Sequence, residues 1–253
     1  MISIAALIFK STKFADSTVE SLLEFTPHLH DGRARFFFVA NDATPRLIEH
    51  LNKKGYPYVC QNNKDRTEQE LLKLGYAGPS YIHRVYRGWN RAIMESEEQC
   101  VLLNSDMQFS PGWLEGLTEN WNPNIILTST LVERDQPKFG PKDLPDRANY
   151  FVERDFGSHP DNFDKNGFYA FSKNIAMPGI RQGRHYASIM LSRSKAIEAG
   201  LYPEGNLFAP WGIYSGDVVF FNRLADIGVE HKESMSSIVY HYNEGEQEEI
   251  NNI

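Results

Sequence analysis

Short apolar runs alternate with amphipathic stretches along the first 107 residues of the chain. Each apolar run is long enough for one buried strand, and the runs occupy residues 2–9, 35–40, 56–60 and 100–104. Stretches with helical spacing lie between them, at residues 17–25, 45–55, 66–74 and 87–98. Strands and helices alternating in this way predict a mostly parallel sheet covered by helices on both faces.

Residues at the ends of these stretches support the helices. Asp16 or Ser17 can cap the first helix. Pro45 stands in the first turn of the second helix and Gly55 at its end, where these residue types are most favourable.

The second half of the chain is less regular. Its apolar and periodic stretches predict strands at residues 125–132, 187–191 and 237–241, and helices at 194–199 and 217–227. Residues 133–184 are rich in Pro, Gly, Asp, Asn and aromatic side chains and show little periodicity. Because a loop of that length is uncommon in a compact domain unless it is functional, we expect an acceptor-side segment there.

The length and net charge of the chain restrict the classes of protein to which it can belong. With 253 residues and 41% hydrophobic content, the chain suits a single domain over residues 1–253, with halves at 1–107 and 108–253. The net charge of -7 argues against nucleic acid as a partner, since such proteins normally carry a basic excess. An acidic protein that binds a diphosphate needs a divalent cation or a local group of positive side chains.

Neither cysteine chemistry nor a targeting segment is indicated. Cys60 and Cys100 have no metal-type spacing and read as ordinary reduced thiols. The apolar start of the chain lacks a basic leader and a cleavage site, and Lys10 interrupts it. No apolar run approaches the roughly 20 residues that span a bilayer. We expect a soluble, cytoplasmic protein, with peripheral association at a membrane left open.

Polar residues follow two of the expected strands directly. Asn41 and Asp42 end the second strand, and Asn104, Ser105 and Asp106 end the fourth. In open parallel sheets, ligands bind beyond the carboxyl ends of the strands. A carboxylate at Asp106 can hold Mg²⁺ or Mn²⁺, which in turn grips phosphate oxygens. The alternative is that each Asp only opens a turn, as Asp often does after a strand.

The sequence RGWNRAI at residues 87–93, followed by LLNSD at 102–106, resembles the family 2 glycosyltransferases of the GT-A fold. In that family the strand after an RG-x-N-like helix carries the DxD metal motif. The rhamnosyltransferase-like branch has an N-x-D form, which Asn104 and Asp106 match. Most members have an acid at the position of Asn104, whose amide is a weaker, uncharged ligand.

Three further segments match the family in the same order. Residues 39–44 resemble the acidic turn that contacts the nucleoside, with Asp42 as the counterpart of its carboxylate and Asn41 beside it. Residues 215–224 resemble the E-D-x-x-x-x-x-R-L helix that carries the catalytic base. Gly216 replaces its first acid and Asp217 matches the second; a plain helix cap is the alternative for Asp217. His241 resembles a third metal ligand, although a lone His is more often structural.

The resemblance implies a GT-A fold, with a Rossmann-like mostly parallel sheet and a smaller acceptor-side subdomain, and an inverting, metal-dependent transfer of a sugar. It implies a UDP-, GDP- or dTDP-sugar donor, Mn²⁺ or Mg²⁺ held by Asp106 and His241, and Asp217 as the base. The acceptor would be a glycan or a lipid-linked or protein-linked sugar. The residues expected to bind the donor and its metal are Asn41, Asp42, Arg87, Asn90, Asn104, Ser105 and Asp106.

Two rival functions use a similar layout. A sugar-phosphate nucleotidyltransferase normally has a Gly-rich, basic turn after its first strand, and residues 8–12 contain no glycine. A phosphate-binding loop of the G-x-x-x-x-G-K-[ST] type is also absent from the sequence. A non-catalytic nucleotide- or glycan-binding relative remains open, because Asn104 and Gly216 replace acids.

Overall fold

The computed structural model describes residues 1–77, 80–134, 151–210 and 212–242. Its strands are β1 (Ile2–Ile8), β2 (Ala34–Asn41), β3 (Tyr58–Gln61), β4 (Tyr76–Ala77), β5 (Gln99–Asn104), β6 (Met107–Phe109), β7 (Ile125–Glu133), β8 (Val152–Glu153), β9 (Ile180–Gln182), β10 (Ile189–Ser192), β11 (Asn206–Ala209), β12 (Gly212–Tyr214) and β13 (Glu230–His241). Its α-helices are α1 (Thr12–Phe25), α2 (Pro27–His30), α3 (Pro45–Lys54), α4 (Glu68–Lys73), α5 (Ser80–Glu95), α6 (Trp113–Thr118), α7 (Lys165–Ile175), α8 (Arg193–Glu198) and α9 (Gly216–Asp226).

A ten-stranded sheet takes strands from both halves of the chain. Its main path runs in the order β3-β2-β1-β5-β10-β7-β13-β6, while β8 pairs with β7 and β9 with β13. Strands β3, β2, β1 and β5 are parallel to one another, and β7 is parallel to β13. Strand β10 is antiparallel to both of its neighbours. The predicted mixed α/β architecture with a mostly parallel sheet is confirmed.

Helices cover both faces of this sheet. Apolar residues of α1, α3 and α6 pack on one face, and apolar residues of α5, α8 and α9 pack on the other. A third, aromatic cluster joins α7 to the end of β13 through Phe168 and Tyr240. Strands β4, β11 and β12 form a separate small sheet that leads into α9. No helix within the described ranges has the length and apolar character needed to cross a bilayer.

Local chemistry explains where the helices begin and end, and it corrects one prediction. Helix α1 begins at Thr12 because the Ser11 side chain accepts a hydrogen bond from the Phe14 N–H. The prediction that Asp16 or Ser17 caps this helix is wrong; Asp16 instead binds His50 on α3. At the end of α3, Gly55 takes a left-handed conformation with a φ of 69°, as predicted from its position.

The irregular segment at 133–184 contains more regular structure than its composition suggests. Within it, α7 and the short strands β8 and β9 pack beside β7 and β13. Residues 135–150 of the predicted acceptor-side segment lie outside the described residues. Phe156 and Phe168 are buried and pack against Tyr240, so these two rings build the core instead of facing a sugar.

Candidate active site

Two carboxylates and a histidine meet at the carboxyl ends of β5, β7 and β13. His241 Nε2 lies 3.1 Å from Asp106 Oδ1, and His241 Nδ1 lies 2.6 Å from Glu133 Oε1. All three side chains are largely buried, with exposed fractions of 14% for His241, 12% for Asp106 and 8% for Glu133. The fold therefore brings together Asp106 and His241, which lie 135 residues apart in the sequence.

The Asp106 and His241 side chains are spaced like two neighbouring ligands of one cation. Ligands at right angles in an octahedral shell, about 2.1 Å from the metal, lie about 3.0 Å from each other. Glu133 accepts the Nδ1–H bond, so that Nε2 is the nitrogen that faces Asp106, as in metal-bound histidines that have a carboxylate behind them. No group of three or more acidic, His or Cys side chains in the described ranges can enclose a metal ion alone. The two residues fit a cation that takes its remaining ligands from a diphosphate and water.

The charge on His241 depends on its two carboxylate neighbours. Burial opposes protonation of the ring, but the charges and hydrogen bonds of Asp106 and Glu133 prevail and raise the pKa of His241 to about 10. Without a cation, a proton on Nε2 therefore fills the space between the ring and Asp106. A divalent cation bound there must displace that proton.

The rest of the turn after β5 is fixed by the main chain and by neighbouring side chains. The Asp106 carbonyl oxygen accepts a hydrogen bond of 2.9 Å from the Tyr242 N–H. Ser105 is buried, and its carbonyl oxygen accepts a bond of 2.6 Å from Thr18. Asn104 Nδ2 lies 3.4 Å from His241 Nε2, so its amide nitrogen, and not its oxygen, faces the histidine.

Asn41 and Asp42, at the end of β2, hold the loop that follows β3. Asp42 adopts a left-handed conformation with a φ of 52°. Its carboxylate accepts hydrogen bonds from the main chain of Asn63 at 2.9 Å and from the side chain at 3.0 Å. Asn41 binds the same side chain through Oδ1 and donates to the Arg84 carbonyl oxygen through Nδ2. The pair thus connects β2 to the β3–α4 loop and to α5.

Arg87 and Asn90, on α5, face different partners. Arg87 forms a two-pronged ion pair with Asp65, with N···O distances of 2.7 and 2.9 Å. The Asn90 amide exchanges two hydrogen bonds of 2.9 Å with the main chain of Tyr202. Gly88, between them, allows α5 to approach the sheet closely, since a Cβ there would lie 2.9 Å from Leu7 and 3.1 Å from Asn41.

A cavity of about 130 Å³ opens beside Asn63, between α4 and α5. It carries more cationic than anionic side chains, a balance that suits part of a nucleotide or another anion. Its lining residues are Asn63, Arg66, Glu68, Leu71, His83, Arg84 and Arg87. Arg87, a member of the predicted donor-binding set, therefore borders this cavity.

Asp217 stands in the first turn of α9, and the residue at the cap position is Ser215. Burial raises the pKa of Asp217, hydrogen bonds from Ser215 and Tyr86 partly offset the rise, and the resulting pKa is about 6. A carboxylate with this pKa is ionised at neutral pH and more basic than an exposed one. Those are the properties required of a general base.

Tyr86 occupies the space that an acid at position 216 would need. A Cβ at Gly216 would lie only 2.4 Å from the Tyr86 ring. The Tyr86 hydroxyl accepts a hydrogen bond of 3.3 Å from the Asp217 N–H and lies 3.2 Å from Ser215 Oγ. The departure of Gly216 from the E-D pattern thus has a steric reason, because Tyr86 holds the start of α9 in place.

The described site residues fall into three groups. The metal-type cluster consists of Asp106, Glu133 and His241. The β2–β3 loop cluster contains Asn41, Asp42 and Asn63, and the Asp217 cluster contains Asp217, Ser215 and Tyr86. Among these residues, no hydrogen bond or ion pair joins Asp217 to Asp106 or His241. Sequence reasoning missed Glu133, Asn63 and Tyr86. Glu133 directly follows an apolar strand, as Asp106 does, so the same signal was available for it. Nothing in the local sequence marks Asn63 or Tyr86, whose roles depend on contacts with distant residues.

The fold of this chain is similar to that of known glycosyltransferases. The mannosyltransferase PcManGT from Pyrobaculum calidifontis, in complex with GDP-Man and Mn²⁺, matches with a TM-score of 0.55 and 12% identity over 95% of this chain and 56% of that one. S. aureus TarS 1–349 matches with a TM-score of 0.55 and 11% identity over 95% of this chain and 60% of that one. The chain thus spans less than two thirds of either structure.

These likenesses establish the GT-A type of fold, as the sequence resemblance predicted. No model of a known protein family matches the chain. No curated protein sequence matches it either. Membership of family 2 and the N-x-D form of the metal motif stay predictions.

Proposed function

We propose that this protein is an inverting, metal-assisted glycosyltransferase that moves a sugar from a nucleoside diphosphate to an acceptor hydroxyl. The observation that carries the proposal is the 3.1 Å approach of Asp106 Oδ1 and His241 Nε2 at the carboxyl edge of a GT-A sheet. PcManGT, which shares this fold, was crystallised with GDP-Man and Mn²⁺. An acidic chain with such a ligand pair can bind a diphosphate through a divalent cation.

Each residue of the metal-type cluster has a distinct part in this proposal. Asp106 and His241 bind the cation, and Glu133 keeps Nδ1 of His241 protonated so that Nε2 faces the metal. When bound, Mn²⁺ or Mg²⁺ stabilises the charge that develops on the departing diphosphate. Mn²⁺ is the better fit, because Mg²⁺ favours oxygen ligands and His241 supplies nitrogen. The donor nucleotide is UDP, GDP or dTDP.

Asp217 accepts the proton of the acceptor hydroxyl as that oxygen attacks the anomeric carbon. A positioned base contributes about 10²–10⁴ in rate. A single base and a single displacement on the face opposite the leaving group invert the configuration at that carbon. We assign nucleoside contacts to Asp42 and Asn41 and diphosphate contacts to the turn at 104–106. Arg87 completes the donor side from the cavity beside Asn63, and Asn90 supports it indirectly by holding the Tyr202 main chain.

Nucleotide binding with and without Mn²⁺ tests the cation site. A ligand present at 100 times its Kd stabilises the folded state by about 2.7 kcal/mol, which a thermal melt detects. We expect UDP, GDP or dTDP to raise the Tm only when Mn²⁺ is present, and Asp106→Asn to remove the effect. A nucleotide shift that needs no metal in the wild type would contradict the proposed role of Asp106.

Release of nucleoside diphosphate from a panel of nucleotide sugars tests the chemistry. Asp217→Asn should abolish transfer and leave Mn²⁺-dependent nucleotide binding unchanged. Asp226→Asn, an exposed change on the same helix, is the matched control and should keep full activity. If the wild type binds nucleotide with metal but never turns over a donor, the protein is a non-catalytic binding relative instead.

A further inference from the structure

Two arginines and a buried glutamate form a charged cluster on the sheet face that α9 covers. Arg181 lies on β9 directly opposite Glu233 on β13, and Arg184 follows two residues after β9. Glu233 points to the same face as His231, two residues earlier on the strand. The His231 ring packs against Phe221 of α9 at a centroid distance of 4.8 Å. The cluster therefore lies on the sheet face covered by α9, whose first turn contains Asp217.

The glutamate holds both guanidinium groups in place. The Glu233 side chain is fully buried, with 0% exposed, whereas Arg181 and Arg184 are 36% and 23% exposed. Arg184 donates to it through Nε at 2.8 Å and Nη2 at 2.9 Å. Arg181 donates through Nη2, and the Thr130 hydroxyl adds a bond of 2.9 Å. A buried carboxylate thus fixes two partly exposed cations.

Most of the donor capacity of the two arginines is unused. Each guanidinium carries five N–H groups, and Glu233 takes one from Arg181 and two from Arg184. Arg181 Nε is buried and has no hydrogen-bond partner among the described residues. Burying a donor without a partner costs free energy unless a ligand satisfies it. The remaining N–H groups suit the oxygens of a phosphate or a carboxylate.

The cluster also keeps a positive charge. Glu233 cancels one of the two guanidinium charges. Burial lowers the pKa of His185 and lowers that of His231 to about 4, so both neighbouring rings are neutral at pH 7. Lys232, on the same strand, is paired with Glu230. One net positive charge remains in a protein whose overall charge is -7.

The cluster is linked to the proposed cation site through His185 and strand β7. His185, next to Arg184 in the chain, is influenced by the charges of both Glu233 and Glu133. Its Nε2 donates a hydrogen bond of 2.8 Å to the Ser129 carbonyl oxygen of β7, the strand that ends in Glu133. Glu133 in turn binds His241. The arginine cluster and the proposed cation site therefore share the strands β7 and β13.

We propose that Arg181 and Arg184 form a subsite for an anionic group, a phosphate or a carboxylate, on the acceptor substrate. The acceptor role rests on the proposed glycosyltransferase function, whereas the anion site itself stands on the cluster alone. Such a subsite restricts the acceptor to a phosphorylated or acidic sugar or a similar anion.

Titration with inorganic phosphate, and separately with acetate, tests the subsite directly. Calorimetry in EDTA removes the contribution of divalent metal. We expect saturable binding of at least one of the two ions to the wild type. Arg181→Gln should weaken it about tenfold, since a hydrogen bond between charged groups is worth about one such factor. Arg181 is the residue of choice because its loss leaves the two-pronged Arg184–Glu233 pair intact.

Two further variants separate binding from folding. Arg184→Lys keeps the charge near Glu233 but removes the planar fork, so anion binding should weaken and the melting temperature should fall, while unfolding stays cooperative. Arg154→Gln removes an exposed guanidinium that lies over the Phe171 ring, 5.8 Å from its centre, and should leave anion binding unchanged. Absence of binding of both ions, or equal binding by the wild type and Arg181→Gln, would overturn the proposal.

An activity assay then distinguishes the acceptor role from the donor chemistry. Hexose 6-phosphates and uronic acids should be better acceptors than the parent neutral hexoses, and Arg181→Gln should remove this preference by raising KM. Donor hydrolysis without acceptor should be equal in the two proteins. Anion binding without any donor turnover would disprove the glycosyltransferase function and leave the anion site standing. Turnover with equal preference in both proteins would disprove the acceptor role alone.

Discussion

Replacing Asp217 by Asn should make the protein more stable at alkaline pH while removing its activity. Asp217 is ionised at neutral pH although it is largely buried, and burial raises its pKa from an ordinary 3.8 to about 6. A raised pKa means that the folded protein binds this proton more tightly than the unfolded chain does. The ionised carboxylate therefore costs folding free energy above pH 6, and the neutral, isosteric Asn removes that cost.

The size of the effect follows from the two pKa values. Each pKa unit corresponds to 1.36 kcal/mol, so the rise from 3.8 to about 6 is worth about 3 kcal/mol at pH 8. At pH 5 the wild-type carboxyl is mostly protonated in the folded state but not in the unfolded chain, and the difference falls to about half. Below the unfolded pKa it disappears. For a chain of this size, about 3 kcal/mol corresponds to about 6–12 °C in Tm.

Urea unfolding followed by tryptophan fluorescence at pH 8 and pH 5 measures this difference. We expect Asp217→Asn to exceed the wild type in unfolding free energy by about 3 kcal/mol at pH 8, with a smaller gain at pH 5. Asp226→Asn, on the exposed side of α9, should change stability by less than about 1 kcal/mol at both pH values. A loss of stability at pH 8, or a gain that is independent of pH, would refute the reasoning.

Three further predictions concern the active site. Because Asp217 must be ionised to act as a base, kcat/KM should fall about tenfold per pH unit below about 6, and a profile that is flat to pH 5 would exclude this base. Tyr86→Phe removes a hydrogen bond that lowers the pKa of Asp217, so the acidic limb of the same profile should move to higher pH; an unmoved limb would mean that the hydroxyl is only structural. Glu133→Gln should weaken Mn²⁺ binding about 10–100-fold in calorimetry, and unchanged affinity would remove Glu133 from the cation site.

The pattern of hydrophobic residues was sufficient to predict those strands that are apolar along their whole length. Strand β1 is buried along its whole length, and its boundaries differ from the predicted run by one residue. Strand β13 was predicted only from residue 237, because residues 230–236 are mostly polar and do not read as a buried strand. Glu233 and Ser234 are buried there because Arg184, Thr130 and the Gly116 carbonyl oxygen bind them. Such partners come from distant parts of the chain and leave no local signal.

In the candidate site, too, some features could be predicted from local sequence and others depend on distant residues. Position after a strand pointed to Asp106, because the carboxyl ends of parallel strands meet at one edge, whereas His241 was proposed from the family resemblance. The same rule could have added Glu133 at the end of β7. It could not reveal that the Asn90 amide and both carboxylate oxygens of Asp42 already have protein partners. Those partners are Tyr202 and Asn63, and neither is adjacent in sequence to the residue it binds.

The surroundings of Gly216 explain why the first acid of the E-D pair is absent from this chain. An acid at position 216 would need space beside the first turn of α9. Here the Tyr86 ring fills that space, and its hydroxyl binds the main chain of Asp217. The same hydroxyl helps to stabilise the ionised form of Asp217 against its burial. A position that had lost its chemistry would not need a buried tyrosine to favour the charged carboxylate. In the proposed enzyme, the substitution therefore exchanges one partner of Asp217 for another.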